Sequence, residues 1–196
     1  MKKSNIFYEK VILPVKRIVE LIVKKKTNLL IIAISIGFFL FLATRHKKIF
    51  FISILTVAGA FSLIYVRFFK QAYIIGFELC TLATVLCARA YGTLIGAVIG
   101  FLTIFFGTII SSRVKPTYFI SIFTLPVIGV VASLLEFMPI SLLGILMTIL
   151  YDIIVLPLYV MTGSRVISSI VFSVTHIFIN AYLFTQIAPF ILKLMI

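Results

Sequence analysis

Two carboxylates stand inside apolar sequence, Glu78 in "GFELCTLATVLCARAY" and Asp152 in "LMTILYDIIVLPLYV". An ionised carboxyl in a bilayer costs ~3 kcal/mol or more, so it faces a cavity or a partner. At helical spacing Thr81 falls on the face of Glu78, three residues on, and Thr148 on that of Asp152, four residues back. Tyr151 adjoins Asp152, and Pro157 leaves a backbone carbonyl without its helical donor. Further along, Ser169, Ser173, His176 and Asn180 recur at i, i+4, i+7 and i+11, with Arg165 one turn earlier. That spacing puts all of them on one stripe of a helix. Two chemistries fit: a lined cavity for a solute or proton, or a hydrogen-bonded seam between helices. Metal binding does not fit. No second His or Cys sits at ligand spacing on that helix, and the other histidine, His46, falls in a loop.

The elements that carry these residues are membrane helices. Of 196 residues, 63% are hydrophobic and 12% charged, and the mean hydropathy is +1.29. A soluble domain carries about a quarter charged residues. Apolar runs of bilayer length predict seven helical segments, 28–43, 49–66, 72–88, 91–111, 117–137, 139–162 and 166–195. The first, 16 residues long, rises only ~24 Å and is short for a ~30 Å hydrocarbon core, so it is expected to re-enter or to pair tightly with the next helix. The fold class is all-α: a polytopic integral membrane bundle of six core transmembrane helices behind that short segment. A single transmembrane domain covers residues 27–196, with loops too short for an attached soluble domain. The localisation read from this is the cell membrane, multi-pass.

Residues 1–26 form a separate basic tail with eight Lys/Arg against Glu9 and Glu20. Ile12, Val15, Ile18, Val19 and Ile22 recur at helical spacing, predicting an amphipathic juxtamembrane helix; a solvated tail that only sets topology fits equally. The tail is too long for the basic part of a signal peptide, and no cleavage site follows. With the tail inside and all seven segments spanning, thirteen Lys/Arg lie inside and five outside. Eight of the thirteen are in the tail, so the later helices barely vote. Basic residues beside membrane helices also account for the +13 net charge without nucleic acid. Cys80 and Cys87, seven apart on one helix, stand ~10 Å apart by rise, too far to bridge each other.

Gly92, Gly96 and Gly100 in "YGTLIGAVIG" predict a packing seam, because small residues let membrane helices approach closely. In the longer stretch "GFELCTLATVLCARAYGTLIGAVIG", a partly polar helix leads through Arg89 into an aromatic-glycine step and a glycine-lined helix. This pattern resembles the substrate-binding S components of energy-coupling-factor (ECF) transporters. The closing "YDIIVLPLYVMTGSRVISSIVFSVTHIFINAYLFTQIAPFILKLM" looks like the last two helices of such proteins. The resemblance covers residues 49–195. It implies a vitamin-like small-molecule solute bound in a pocket, here by Glu78, Thr81, Tyr151, Asp152, His176 and Asn180. It also implies a transmembrane coupling subunit and ABC-type ATPases as partners. The family's small-residue docking motif finds its nearest match at Ala58 and Ser62 in "TVAGAFS".

Two features depart from that family: the tail and segment 28–43 precede the six helices, and the docking motif is not alanine-rich. The chain is also similar to the MreD family of membrane scaffolds in size and glycine use. That resemblance implies an envelope-organising protein with no small ligand. The chain carries no P-loop, GxGxxG, HExxH, GxSxG or aspartate cluster, so neither a catalytic role nor a cofactor is expected. The Ile, Lys and Phe content points to an AT-rich prokaryotic genome.

Overall fold

The computed structural model describes residues 28, 31, 32, 34, 35, 37–39, 41–69, 74–112 and 116–196. All of the expected basic tail, and part of segment 28–43, lie outside them. The chain divides into two units, Met1–Lys47 and Lys48–Ile196. In the first, the described residues from 28 to 45 are helical, and the Phe41 and His46 rings meet edge to face at 5.8 Å.

The second unit holds α1 (Lys47–Phe61) from its second residue on, a short α2 (Tyr65–Phe68), α3 (Cys80–Tyr91), α4 (Thr93–Ser111), α5 (Pro116–Leu134), α6 (Ile140–Met161), α7 (Val166–Tyr182) and α8 (Ala188–Met195). No strand occurs among the described residues. Among the described residues, five helical stretches are long and apolar enough to cross a membrane: Lys47–Phe68, Thr93–Ser111, Pro116–Leu134, Ile140–Met161 and Val166–Met195. Where a sixth crossing was expected, α3 has 12 residues, a rise of ~18 Å.

The helix expected over 72–88 begins only at Cys80 because its first turns have other partners. Tyr65 Oη–H reaches the carbonyls of Ile75 (2.8 Å) and Phe77 (3.0 Å). The Gly76 N–H donates to Thr175 Oγ1 at 2.8 Å, and the Leu79 N–H to Ser62 Oγ at 2.9 Å. Every backbone polar group needs a partner when buried, and here loop 74–79 finds them on neighbouring helices. The α3 that follows is buried continuously from Cys80 to Ala88. A helix apolar on all sides belongs in the middle of a bundle.

The glycines divide between a turn and a seam. Gly92 lies outside the helical face predicted for it: it is the single residue between α3 and α4, at φ 89° and ψ 177°, with nothing packed near it. This backbone region is essentially glycine-only, at a cost of about 1–3 kcal/mol for other residues. Gly92→Ala is therefore expected to lower thermal stability by about that amount without any steric clash, measurable by unfolding in detergent. The turn folds α4 back along α3, so that Gly96 lies on Ala88. Gly96 and Gly100 also face α5, through Gly129 and the Leu125 carbonyl respectively. The Thr93 and Ser133 hydroxyls, 2.6 Å apart, continue that antiparallel seam.

Expected helix 166–195 is continuous but widens into a π-helical turn at Leu183–Ile187. Pro189 follows in the first turn of α8 and has no N–H to return to the preceding turn. Within the widened turn the Phe184 ring is fully buried and lies directly on Gly144 of α6.

Candidate functional site

The buried face of α7 consists of Ser169, Ser173, His176 and Asn180. These are the four residues that the sequence spacing aligns. His176 is fully buried and sits between two carboxylates. Its Nδ1 lies 3.0 and 3.1 Å from Asp152 Oδ1 and Oδ2 on α6, and its Nε2 lies 2.9 Å from Glu78 Oε1, each within hydrogen-bond distance. A neutral imidazole has one N–H only. Two such contacts therefore require a second proton, held on the ring or on one of the carboxyls. Glu78 and Asp152 are 6% and 4% exposed. Buried charges at this depth persist only when paired and hydrogen-bonded.

Local structure builds each arm of the bridge. Glu78 lies in the loop just before α3 rather than inside a helix, and its carboxylate accepts the Thr81 N–H (2.9 Å to Oε2, 3.1 Å to Oε1). A carboxylate in that place answers the unpaired N–H groups and positive end of the first turn. Gly76 permits the approach: a Cβ there would meet the backbone N of His176 at 2.6 Å. Stacking orients the imidazole, with the Phe172 ring 5.3 Å away at 18° and the Tyr151 ring at 5.4 Å. Asn180 Nδ2 donates to the His176 carbonyl at 3.1 Å. Thr81 Oγ1, Ser173 Oγ and Asn180 Oδ1 are buried without a partner.

Beside the bridge lies a cavity of about 450 Å³, within the range of small-molecule sites. Glu78 and Tyr151 are on its wall, together with Tyr65, Tyr159, Ser121 and Phe172. Tyr118, Ser168, Ser169 and Arg165 add to the polar lining. Tyr151 Oη–H donates to Ser121 Oγ at 2.8 Å, and Ser121 Oγ is 2.5 Å from Tyr159 Oη, which ties α5 to α6.

Thus Glu78, Asp152, His176, Tyr151, Asn180 and the Thr81 backbone form one cluster, and Glu78 and Tyr151 connect it to the cavity. Thr148 does not join them, since its hydroxyl donates within α6 to the Gly144 carbonyl at 2.8 Å. Ser62 Oγ–H donates to the Gly59 carbonyl at 2.6 Å, and its oxygen also accepts the Leu79 N–H noted above, so that hydroxyl serves the fold internally. Ala58 is half-buried beside it. Cys80 and Cys87 are buried free thiols, and Cys80 donates to the Gly59 carbonyl at 3.3 Å.

Sequence reasoning did not identify Tyr65, Ser121, Tyr159 and Phe172 as lining residues. A signal existed for one of them: Tyr159 follows Tyr151 by eight residues, two turns further on the same face of α6. Among the described residues no His, Cys, Asp and Glu group is arranged to hold a metal ion. Comparison with protein-family models, curated proteins and solved structures returns no match to this chain.

Proposed function

We propose that this is an integral membrane protein that binds a small solute in the cavity between α2, α5, α6 and α7, in the manner of an S-component-like transport subunit. The observation that carries this reading is the cavity itself. It is roomy, ringed by aromatic faces and edged with hydroxyl groups from several helices. A purely structural seam would close around its polar groups; here the bridge reaches an open wall at Glu78 and Tyr151. The proposed working assembly includes a transmembrane coupling subunit and ABC-type ATPases, with six helices as the core and segment 28–43 re-entrant. Ala58, half-buried on α1, is the proposed docking position.

The test is purification in mild detergent from the native membrane, with mass spectrometry of both proteins and small molecules. The expected result is one solute per chain, together with coupling and ATPase subunits. Ser168→Trp, which places an indole in the cavity from a half-exposed position, is expected to cut solute occupancy at least tenfold while thermal stability stays within about 0.5 kcal/mol. A solute-free protein that instead retains envelope proteins would replace this reading with the MreD-like scaffold.

A further inference from the structure

We infer that the solute is a small organic anion, with its acid group at Arg165 and a flat apolar body among the aromatic rings. This rests on the solute-binding reading above and names the class of solute. The cavity wall carries two side chains of full charge, Glu78 and Arg165. They are not equivalent. Glu78 is already engaged: Oε1 meets His176 Nε2 at 2.9 Å and the Thr81 N–H at 3.1 Å, and Oε2 meets the same N–H at 2.9 Å. Its charge is answered from behind the wall.

Arg165 has no such partner. The described acidic side chains are Glu78, Asp152 and Glu136. The first two bracket His176, and Glu136 lies 4.0 Å from Arg89. Among the described residues, then, no carboxylate pairs with Arg165. Its planar fork of N–H donors matches a carboxylate or phosphate in two parallel hydrogen bonds.

The surroundings favour the same sign. Arg67 follows the lining residue Val66, so a second cation adjoins the wall that carries Arg165. A cleft edged by one sign of charge concentrates the opposite one. Basic residues at this end would also serve as a topology signal. That signal needs charge near the membrane surface; it does not need an arginine among the lining residues of a cavity. The rest of the wall suits the body of such a molecule. Phe77, Tyr151, Tyr159 and Phe172 offer flat faces, and Ser168 offers a hydroxyl group for its polar edge.

The experiment uses the full chain purified from its native membrane in mild detergent. Native mass spectrometry counts bound molecules. The released molecule is then identified by exact mass in both ion polarities and by esterification of acid groups. The expected result is a water-soluble carboxylate or phosphate. Arg165→Gln lowers its occupancy roughly tenfold or more, the size expected for a charge-assisted pair. Arg165→Lys, which keeps the charge and loses the fork, falls between. Unfolding temperatures of the solute-free variants check the fold.

A neutral or cationic solute, or undiminished occupancy in Arg165→Gln, overturns the inference and leaves the solute-binding reading standing. An anionic lipid at one per chain keeps the anion chemistry but makes its source a headgroup, and so overturns the solute reading beneath it. No bound small molecule in the unaltered protein overturns both.

Discussion

Replacing His176 with leucine is expected to destabilise the protein by about 3–5 kcal/mol, the largest effect of any single substitution in the cluster. The imidazole contacts Asp152 at 3.0 Å and Glu78 at 2.9 Å, and is itself fully buried. Leucine would leave two carboxyl groups facing apolar volume with neither cation nor donor between them. Protonation relieves their charge but not their lost hydrogen bonds. The loss would spread. Glu78 holds the start of α3, and the adjoining Gly76 N–H holds loop 74–79 to Thr175 on α7. Asp152→Asn keeps an acceptor facing Nδ1 and should cost less, about 1–3 kcal/mol. Unfolding in detergent monitored by circular dichroism measures both. A leucine variant as stable as the parent would show that the bridge contributes nothing to the fold.

The second large effect belongs to Gly129. An added methyl group there would lie 2.6 Å from the carbonyl carbon of Gly96, 2.7 Å from its oxygen and 2.8 Å from the Ala97 nitrogen. All three are backbone atoms of α4, so no side chain can swing away. The helices must separate, and the Thr93–Ser133 contact at 2.6 Å opens with them. Gly129→Ala is expected to cost about 1–3 kcal/mol, the range for overpacking, and to lower the yield of folded protein. Gly144 is held by a side chain rather than by backbone. Its close neighbour is the Phe184 ring, which is fully buried and would meet an added methyl group at its Cγ and Cδ1. Gly144→Ala should therefore cost at least as much as Gly129→Ala in the same unfolding measurement.

These two sites show what the sequence made legible. The α7 stripe could be read from spacing alone, because a regular helix turns residues at i, i+4, i+7 and i+11 to one side. What His176 meets could not be read. Glu78 is 98 residues away in sequence and lies in a loop, where helical periodicity says nothing about direction. That loop looked helical because its residues are apolar; tertiary hydrogen bonds from Tyr65, Ser62 and Thr175 overrode local preference.

The glycine series misled in a similar way. Gly92 shares the four-residue interval of Gly96 and Gly100, yet its positive φ ends one helix before the next begins. Gly129, the other half of the seam, carries no signal apart from being a glycine. The cavity lay furthest from reach. Its wall draws Tyr65, Ser121 and the Tyr159–Arg165 stretch from three separate parts of the chain, and only packing brings them together. Composition, by contrast, was sufficient for the class: the described residues form helices and no strand, and five of their helical stretches are long and apolar enough to cross a membrane.

The most direct test of the solute-binding account is an experimental density map of the protein from its native membrane, held in a lipid nanodisc with an antibody fragment for size. The account predicts density for a small molecule between Tyr151, Tyr159, Phe172 and Arg165, with Glu78 still bonded to His176 behind it. A cavity filled by side chains, with another protein seated against the bundle in place of a solute, would contradict it.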